Sequence, residues 1–224
     1  MVLQIKENLA NLLAKIPNNV KLVAVSKTHP TEIIKEAYDA GQRDFGENKV
    51  QELVKKYELL PKDICWHFIG HLQRNKVKYI VPFVHLIHSI DSIDLLLEVE
   101  KRASQINREI DCLFQVYIAS ETTKYGFNSC ELEKAIAVLP ELNYVKIKGL
   151  MGMATNTTDS SIIEHEFLTL KKLFDTFKSY SIKNFEMAIL SMGMSSDYEI
   201  AIKCGSNCIR VGSSIFGNRQ YGKY

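Results

Sequence analysis

KLVAVSKTHPTEIIKEAYDAGQRDFGEN, Lys21 to Asn48, reads as a strand, a helix and a second strand. The run KLVAVSK is apolar on successive residues, as expected of a strand covered on both faces, and an amphipathic helical stretch begins near Pro30 before RDFGEN opens the next strand. The same alternation continues to the end of the chain. Strand-like runs follow at CWHFIG from Cys65, HLIHSI from His85, CLFQVYIA from Cys112, VKIKGLMGMA from Val145, FEMAILSMG from Phe185 and CIRVGSSIFG from Cys208. Helix-like segments begin near Lys49, Arg74, Ser92, Ser129, Ser160 and Ser195. Strands alternating with helices argue for parallel strands joined by crossover helices. Eight such units in 224 residues is the arithmetic of a closed (β/α)8 TIM barrel. An open doubly wound sheet is the alternative, and its dinucleotide-binding version is weakened because no GxGxxG follows the first strand.

Upstream, MVLQIKENLANLLAKI spaces Ile5, Leu9, Leu12, Leu13 and Ile16 as the apolar face of an amphipathic helix. It is read as an extra N-terminal helix packed on the barrel, not as a signal peptide. No linker or low-complexity tract divides the chain, so residues 1–224 are expected to form one domain. The composition, 46% hydrophobic and 24% charged, is that of a soluble globular protein with a large core. A formal net charge of +2 offers no footprint for nucleic acid, and no apolar run is long enough to span a membrane. The five cysteines are scattered without a CxxC pair, which suggests buried thiols in a reducing cytoplasm.

Reactive groups in such barrels sit where strands end, on the C-terminal face. Strand one ends at Ser26-Lys27-Thr28, strand two at Gly46-Glu47-Asn48, and strand three runs through His67 to Gly70. Strand six ends at Met151-Gly152-Met153, strand seven at Ser191-Met192-Gly193-Met194-Ser195, and strand eight at Arg210-Val211-Gly212-Ser213-Ser214. Lys27 shares the side of Val23 and Val25; desolvated at a barrel mouth, its amine would attack an aldehyde. Taken alone it reads more simply as a lysine reaching solvent. SMGMS and RVGSS are small, Gly- and Ser-rich loops at the recurrent phosphate site of this architecture, although tight turns need glycine too. Arg210 would face either a pyridine nitrogen, keeping it unprotonated, or a carboxylate; the residues alone do not choose.

A metal site is not expected. His67 and His71 bracket Phe-Ile-Gly without the glutamate of a zincin helix, and His85 and His88 are an odd number apart on one expected strand, hence on opposite faces. Trp66 and the Met151/Met153 pair read as core, and Arg74, Lys76 and Lys78 as a solvated helix face.

The motifs together resemble a known family. VAVSKTHP (Val23 to Pro30), FGENKVQE (Phe45 to Glu52), HFIGHLQRNK (His67 to Lys76), HSIDS (His88 to Ser92), KYGF (Lys124 to Phe127), GLMGMAT (Gly149 to Thr155), SMGMSSDYEIAI (Ser191 to Ile202) and RVGSSIFGNR (Arg210 to Arg219) are similar to the YggS/PROSC-type pyridoxal phosphate homeostasis proteins. The resemblance implies the barrel of alanine racemase and pyridoxal 5′-phosphate (PLP) as cofactor, held as a Schiff base on Lys27. Ser191, Met192, Gly212 and Ser213 fall on the phosphate-holding segments, and Arg210 on the position facing the pyridine nitrogen. Asn48 lies toward the ring, while His67 and Met151 line the pocket. Two positions depart from the family pattern: Lys49 stands where tyrosine is common, and Tyr117 where asparagine is common.

Two functions remain in view: a non-catalytic PLP carrier that buffers the cofactor or delivers it to PLP-dependent apoenzymes, and an enzyme of the amino-acid racemase type. A racemase would require a second β-domain and a second acid/base opposite the lysine. Only Ile215 to Tyr224 follow the last strand, and no strand end supplies an evident second group, with Tyr117 and His67 the nearest candidates. The carrier is therefore expected, as a monomer. A barrel that processes phosphosugars would share the loops but would not require Lys27.

Overall fold

In a computed structural model, residues 2–120 and 125–217 are described. Lys124 of KYGF, and Asn218 and Arg219 of RVGSSIFGNR, lie outside them. Eight strands run β1 (Lys21–Val25), β2 (Asp44–Glu47), β3 (Cys65–Phe68), β4 (Leu86–Ile90), β5 (Ile110–Gln115), β6 (Val145–Met151), β7 (Phe185–Ser191) and β8 (Cys208–Val211). They pair in parallel in sequence order, and β1 closes on β8 in the register Leu22↔Ile209 and Val23↔Arg210. The architecture is the (β/α)8 barrel, and the open sheet is excluded.

Alternation along each strand separates two packing faces. Leu22, Ala24, Phe45, Trp66, Phe68, Ile87, Phe114 and Ile209 point outward and join one large buried cluster with the helices. Leu86, Leu113 and Met151 form a separate small cluster inside the barrel, with Met153 and Ile189 against it. The rest of the interior is largely polar: His67, His88, Ser191 and Arg210 are all buried.

The helices cover the outer face. Those that flank the site are α1 (Val2–Leu13), α2 (Thr31–Asp39) and α3 (Val50–Leu59). The N-terminal helix packs as expected through Ile5, Leu9 and Leu12, with Ile16 just beyond its end, and Asn8 Nδ2 donates to the Ile215 carbonyl at 3.0 Å. Leu13 falls off that stripe and is exposed. After β3 a short 3-10 turn, Arg74–Lys76, leads into α4 (Val77–Ile80), and Arg74 pairs with Asp94 at 2.9 Å on the surface. The helix after β7, Tyr198–Lys203, starts three residues later than Ser195. Among the described residues, no helix is long and apolar enough to cross a membrane.

Two seams need side chains or glycine. Only Ser191↔Cys208 pair in register between β7 and β8, and the loop before β8 reinforces that edge: Ser206 Oγ donates to the Met192 carbonyl at 2.7 Å and Asn207 Nδ2 to the Ala188 carbonyl at 2.7 Å. Between β6 and β7 the register shifts near Gly149, whose φ is +151° and where a Cβ would stand 1.8 Å from the Ile189 carbonyl oxygen. Gly149→Ala is therefore expected to destabilise the barrel by at least about 2 kcal/mol, read as a lower midpoint in urea unfolding. An unchanged midpoint would show that the seam can open without cost.

Candidate functional site

Lys27 lies two residues beyond β1, in a turn pinned on both sides. Ser26 Oγ donates to Glu47 Oε1 at 2.6 Å, and the Thr28 backbone N–H donates to Glu52 Oε1 at 2.6 Å. Thr28 takes φ +69°, a left-handed conformation that a threonine adopts only when held. Lys56 on α3 joins the two anchors. Its ammonium donates to the Ser26 carbonyl at 2.9 Å, to Glu47 Oε1 at 2.7 Å and to Glu52 Oε1 at 2.6 Å, using all three hydrogens. Glu47 is wholly buried, with its side chain on the outer side of β2. Burial pushes its carboxyl up to about 7 against the opposing effects of Lys56 and Ser26.

Lys27 opens onto a cavity of about 480 Å³ at the C-terminal mouth of the barrel. Asn48, Gln115, Arg210, Gly212, Ser213, Ser195 and Ser196 line it, with Ile69, Met153 and Met194 among its apolar walls. The loops after β7 and β8 are tied together, since the Gly212 N–H donates to Ser195 Oγ at 3.2 Å and the Arg210 N–H to the Gly193 carbonyl at 2.9 Å. Gly70 lies so close to Asn48 that a Cβ there would sit 2.3 Å from the Asn48 carbonyl oxygen, so glycine sets the approach of the loops after β2 and β3. At the rim the rings of His71 and Tyr125 stack at 4.1 Å, and His71 Nδ1 is 2.9 Å from Asp91 Oδ2.

Arg210 forms part of the cavity floor while only 3% exposed. Its Nη1 donates to the Ser191 carbonyl at 2.9 Å and to Ser191 Oγ at 2.6 Å, and its Nη2 to the Gly152 carbonyl at 3.0 Å. Below it, His88 Nδ1 lies 3.0 Å from Ser191 Oγ, and His88 Nε2 lies 2.8 Å from His67 Nδ1. His67 Nε2 then lies 2.9 Å from Asp44 Oδ1, at the opposite, N-terminal mouth.

Lys27, Asn48, Arg210, Gly212 and Ser213 thus meet at one cavity, and four other expected residues do not line it. Met151 belongs to the apolar cluster inside the barrel, and Met192 packs in the outer core. Ser191 is the last residue of β7 and bonds Arg210 from below, so the part of SMGMS that reaches the cavity is Met194 and Ser195. His67 sits a layer deeper and faces His88. Lys49 is exposed, and Tyr117 lies beyond β5 away from the main cavity, where the buried Gln115 takes the inward position. His29, His71, Gln115 and Tyr125 are cavity residues that strand-end reading missed; the loop residues carry no periodic signal.

His85 precedes β4 instead of lying on it, so His85 and His88 both approach the His67 ring, at 5.4 and 5.1 Å between centroids. Asp44, His67 and His85 bring ligating atoms within 4.8 Å of one another. The Lys21 ammonium, 3.1 Å from Asp44 Oδ1, already occupies the carboxylate oxygen that His67 shares.

A lysine and a buried arginine at the mouth of an eight-stranded barrel, with glycine- and serine-rich loops beside them, define a cofactor-binding barrel of the racemase class. The family described as alanine racemase, N-terminal domain, matches residues 2–220. A pyridoxal phosphate homeostasis protein from Aquifex aeolicus is 41% identical over 207 residues, covering 91% of this chain and 89% of its own. PipY of Synechococcus elongatus, solved with PLP bound, superposes with a TM-score of 0.88 at 36% identity, over 96% of this chain and 100% of that one. Alanine racemase from E. faecalis shares the fold alone, with a TM-score of 0.79 at 14% identity, over 97% of this chain and 58% of that one. The chain belongs to the pyridoxal phosphate homeostasis protein family.

The buried Glu47 carboxyl gives the turn that carries Lys27 a pH signature. Because its pKa rises from 4.5 to about 7, the folded state binds more protons than the unfolded one across that interval. Stability from this group is complete below 4.5 and is lost as pH climbs through 7, by up to about 3 kcal/mol. Urea unfolding at a series of pH values should show that decline in the wild type and a flatter profile in Glu47→Gln. Parallel profiles would mean that Glu47 stays ionised throughout.

Proposed function

We propose that this protein binds PLP at the C-terminal mouth of the barrel and serves in its homeostasis, with residues 1–224 acting as one cofactor-binding domain. The observation that carries the reading is the convergence of Lys27, Arg210 and the loops after β7 and β8 on one cavity. The cavity fits a phosphorylated pyridine aldehyde in size and in the chemistry of its donors. PLP supplies an aldehyde, to which the Lys27 amine joins with loss of water. Around it, Ser195, Ser196 and Ser213 offer hydroxyl and backbone N–H donors to a phosphate, beside Gly212, whose own N–H is tied to Ser195 Oγ. Asn48 stands beside the ring. Arg210, which only donates, faces the ring nitrogen and disfavours a proton on it, blunting the ring as an electron sink. Ser191, His67 and Met151 support these residues from within the barrel, and Met192 supports them from the outer core.

In this reading the protein is a non-catalytic carrier that buffers PLP or hands it to PLP-dependent apoenzymes in the cytoplasm. Relatives named for pyridoxal phosphate homeostasis support a carrier over an enzyme. The protein acts as a monomer in this reading, and cysteines free of disulfides support a reducing compartment. His71 and Tyr125 at the rim favour the second reading, an enzyme of the amino-acid racemase type, because they could serve as an acid/base opposite Lys27.

Protein loaded with PLP should be yellow, and borohydride should fix the cofactor on the peptide containing Lys27. Lys27→Ala should lose that covalent attachment altogether; equal labelling of the variant would end the assignment. Incubating the loaded protein with L-amino acids separates the two readings. Product at ordinary enzyme rates, on the order of 1 per second or faster, would establish the enzyme, and its absence the carrier.

A further inference from the structure

Four hydrogen bonds cross the barrel interior from its cavity floor to its opposite mouth, through Arg210, Ser191, His88, His67 and Asp44. Their polarity follows from the two ends. A guanidinium has no acceptor, so Arg210 donates and Ser191 Oγ accepts. A carboxylate has no hydrogen, so Asp44 accepts and His67 carries its hydrogen on Nε2. With His67 neutral, its bare Nδ1 accepts from His88, which must therefore be protonated on Nε2. The bare Nδ1 of His88 then accepts the Ser191 hydroxyl hydrogen. Read from either end, the chain has one direction: Arg210 to Ser191 to His88 to His67 to Asp44.

The surroundings agree. Burial holds both imidazoles below the ordinary histidine range, more strongly for His88. Around them stand Lys21 from β1, Asp44 from β2, His85 before β4, and Cys208 and Arg210 from β8. Asp111 on β5 lies toward His85. Burial raises Asp44, but its contact with His67 and the Lys21 ammonium bring it below the usual carboxylate range. Cys208 also reaches Ser191; burial pushes that thiol up to about 11, so it stays protonated and is a weaker acceptor than an imidazole nitrogen.

We propose that His88, supported by His67 and Asp44, is a positioning residue for Arg210. Taking the Ser191 hydroxyl hydrogen keeps the Ser191 lone pairs turned to the guanidinium, and this fixes the plane that Arg210 presents to a heteroaromatic ring nitrogen in the cavity. None of the three residues lines that cavity. A charged His67 would need His88 Nε2 as an acceptor. That would move the His88 hydrogen to Nδ1, facing Ser191, and reverse the chain at its centre. The role toward the ring rests on the proposed PLP site; the chain itself does not.

The test has two parts. Long-range proton–nitrogen NMR on the full, unloaded chain with labelled histidine should show His67 and His88 as neutral Nε2–H tautomers from pH 8 to pH 5.5. A Nδ1–H tautomer or a titration of either ring in that interval overturns the chain. In the second part, PLP itself is the probe, with its dissociation constant and absorption band followed from pH 6 to 8. His88→Gln keeps an acceptor toward Ser191 and a donor toward His67, and should stay within about twofold of wild type. His88→Leu should bind about tenfold more weakly, with a band that now shifts with pH as the ring nitrogen gains a proton. Ser191→Ala, a smaller change in the same chain, should show the same loss if His88→Leu does not fold. Wild-type binding and a pH-independent band in both Leu and Ala variants would overturn the positioning role. If wild-type protein fails to take PLP onto Lys27, the proposed function fails, while the tautomer spectra still decide the chain.

Discussion

A guanidinium cannot shed its charge, so placing Arg210 inside a barrel obliges the neighbouring strands to supply acceptors. Ser191 on β7 gives two and the Gly152 carbonyl, just past β6, a third. Those demands pass downward. Ser191, having accepted, must donate, and two imidazoles carry the requirement to Asp44, which reaches water. An interior of this architecture is ordinarily filled by layers of branched apolar side chains. Here the apolar filling shrinks to the cluster around Leu86, Leu113 and Met151, with Val23 on the β1 side. The side-chain bonds of Ser206 and Asn207 across the β7–β8 edge follow from the same constraint, because that thinly paired seam joins Arg210 to its acceptor.

Lys27 is held by the opposite strategy. Its neighbours Ser26 and Thr28 are fastened outside the barrel, to Glu47, Glu52 and Lys56 beneath α3. A buried ion pair of this kind adds little net stability, yet losing one partner strands a charge and costs about 3–5 kcal/mol. Its use is geometric: it keeps a threonine at φ +69° and so directs the intervening lysine inward. The cavity is therefore framed by two rigid polar assemblies, one on each face of the sheet.

Much of this was legible in the sequence because strands report themselves locally. β1, β3, β6, β7 and β8 begin at the residues where their apolar runs begin, whereas β5 starts earlier, at Ile110, where Asp111 interrupts the run. Strand ends then pointed to Lys27, Asn48, Arg210, Gly212 and Ser213 at the cavity. SMGMS reads as a single loop, yet β7 continues through its first residue, and Ser191 and Met192 do not line the cavity. The contact of His67 with His88 was not legible. It depends on the offset between β3 and β4, where His67 pairs in register with Leu86, and on the irregularity in β4 between Ile87 and Ile90. No single-strand pattern encodes such an offset.

The five residues Asp44 to Asn48 show how tightly the two assemblies are coupled. Asp44 points inward and ends the histidine chain, and Phe45 points outward into the helix layer. Gly46 points inward again, where a Cβ would come within 3.0 Å of Val23 Cγ1 and 3.2 Å of Ile69 Cδ1. Glu47 points outward to Lys56, and Asn48 reaches the cavity. Because side chains alternate with a period of two, a slip of one residue in β2 would exchange all of these roles. It would turn Phe45 and Glu47 into the barrel, and Asp44 and Gly46 against the helices. The carboxylate that terminates the inner chain and the one that anchors the lysine turn are thus set by one register, three residues apart. Neither assembly can form in a misregistered barrel, so the correct strand pairing and the placement of Lys27 and Arg210 are specified together.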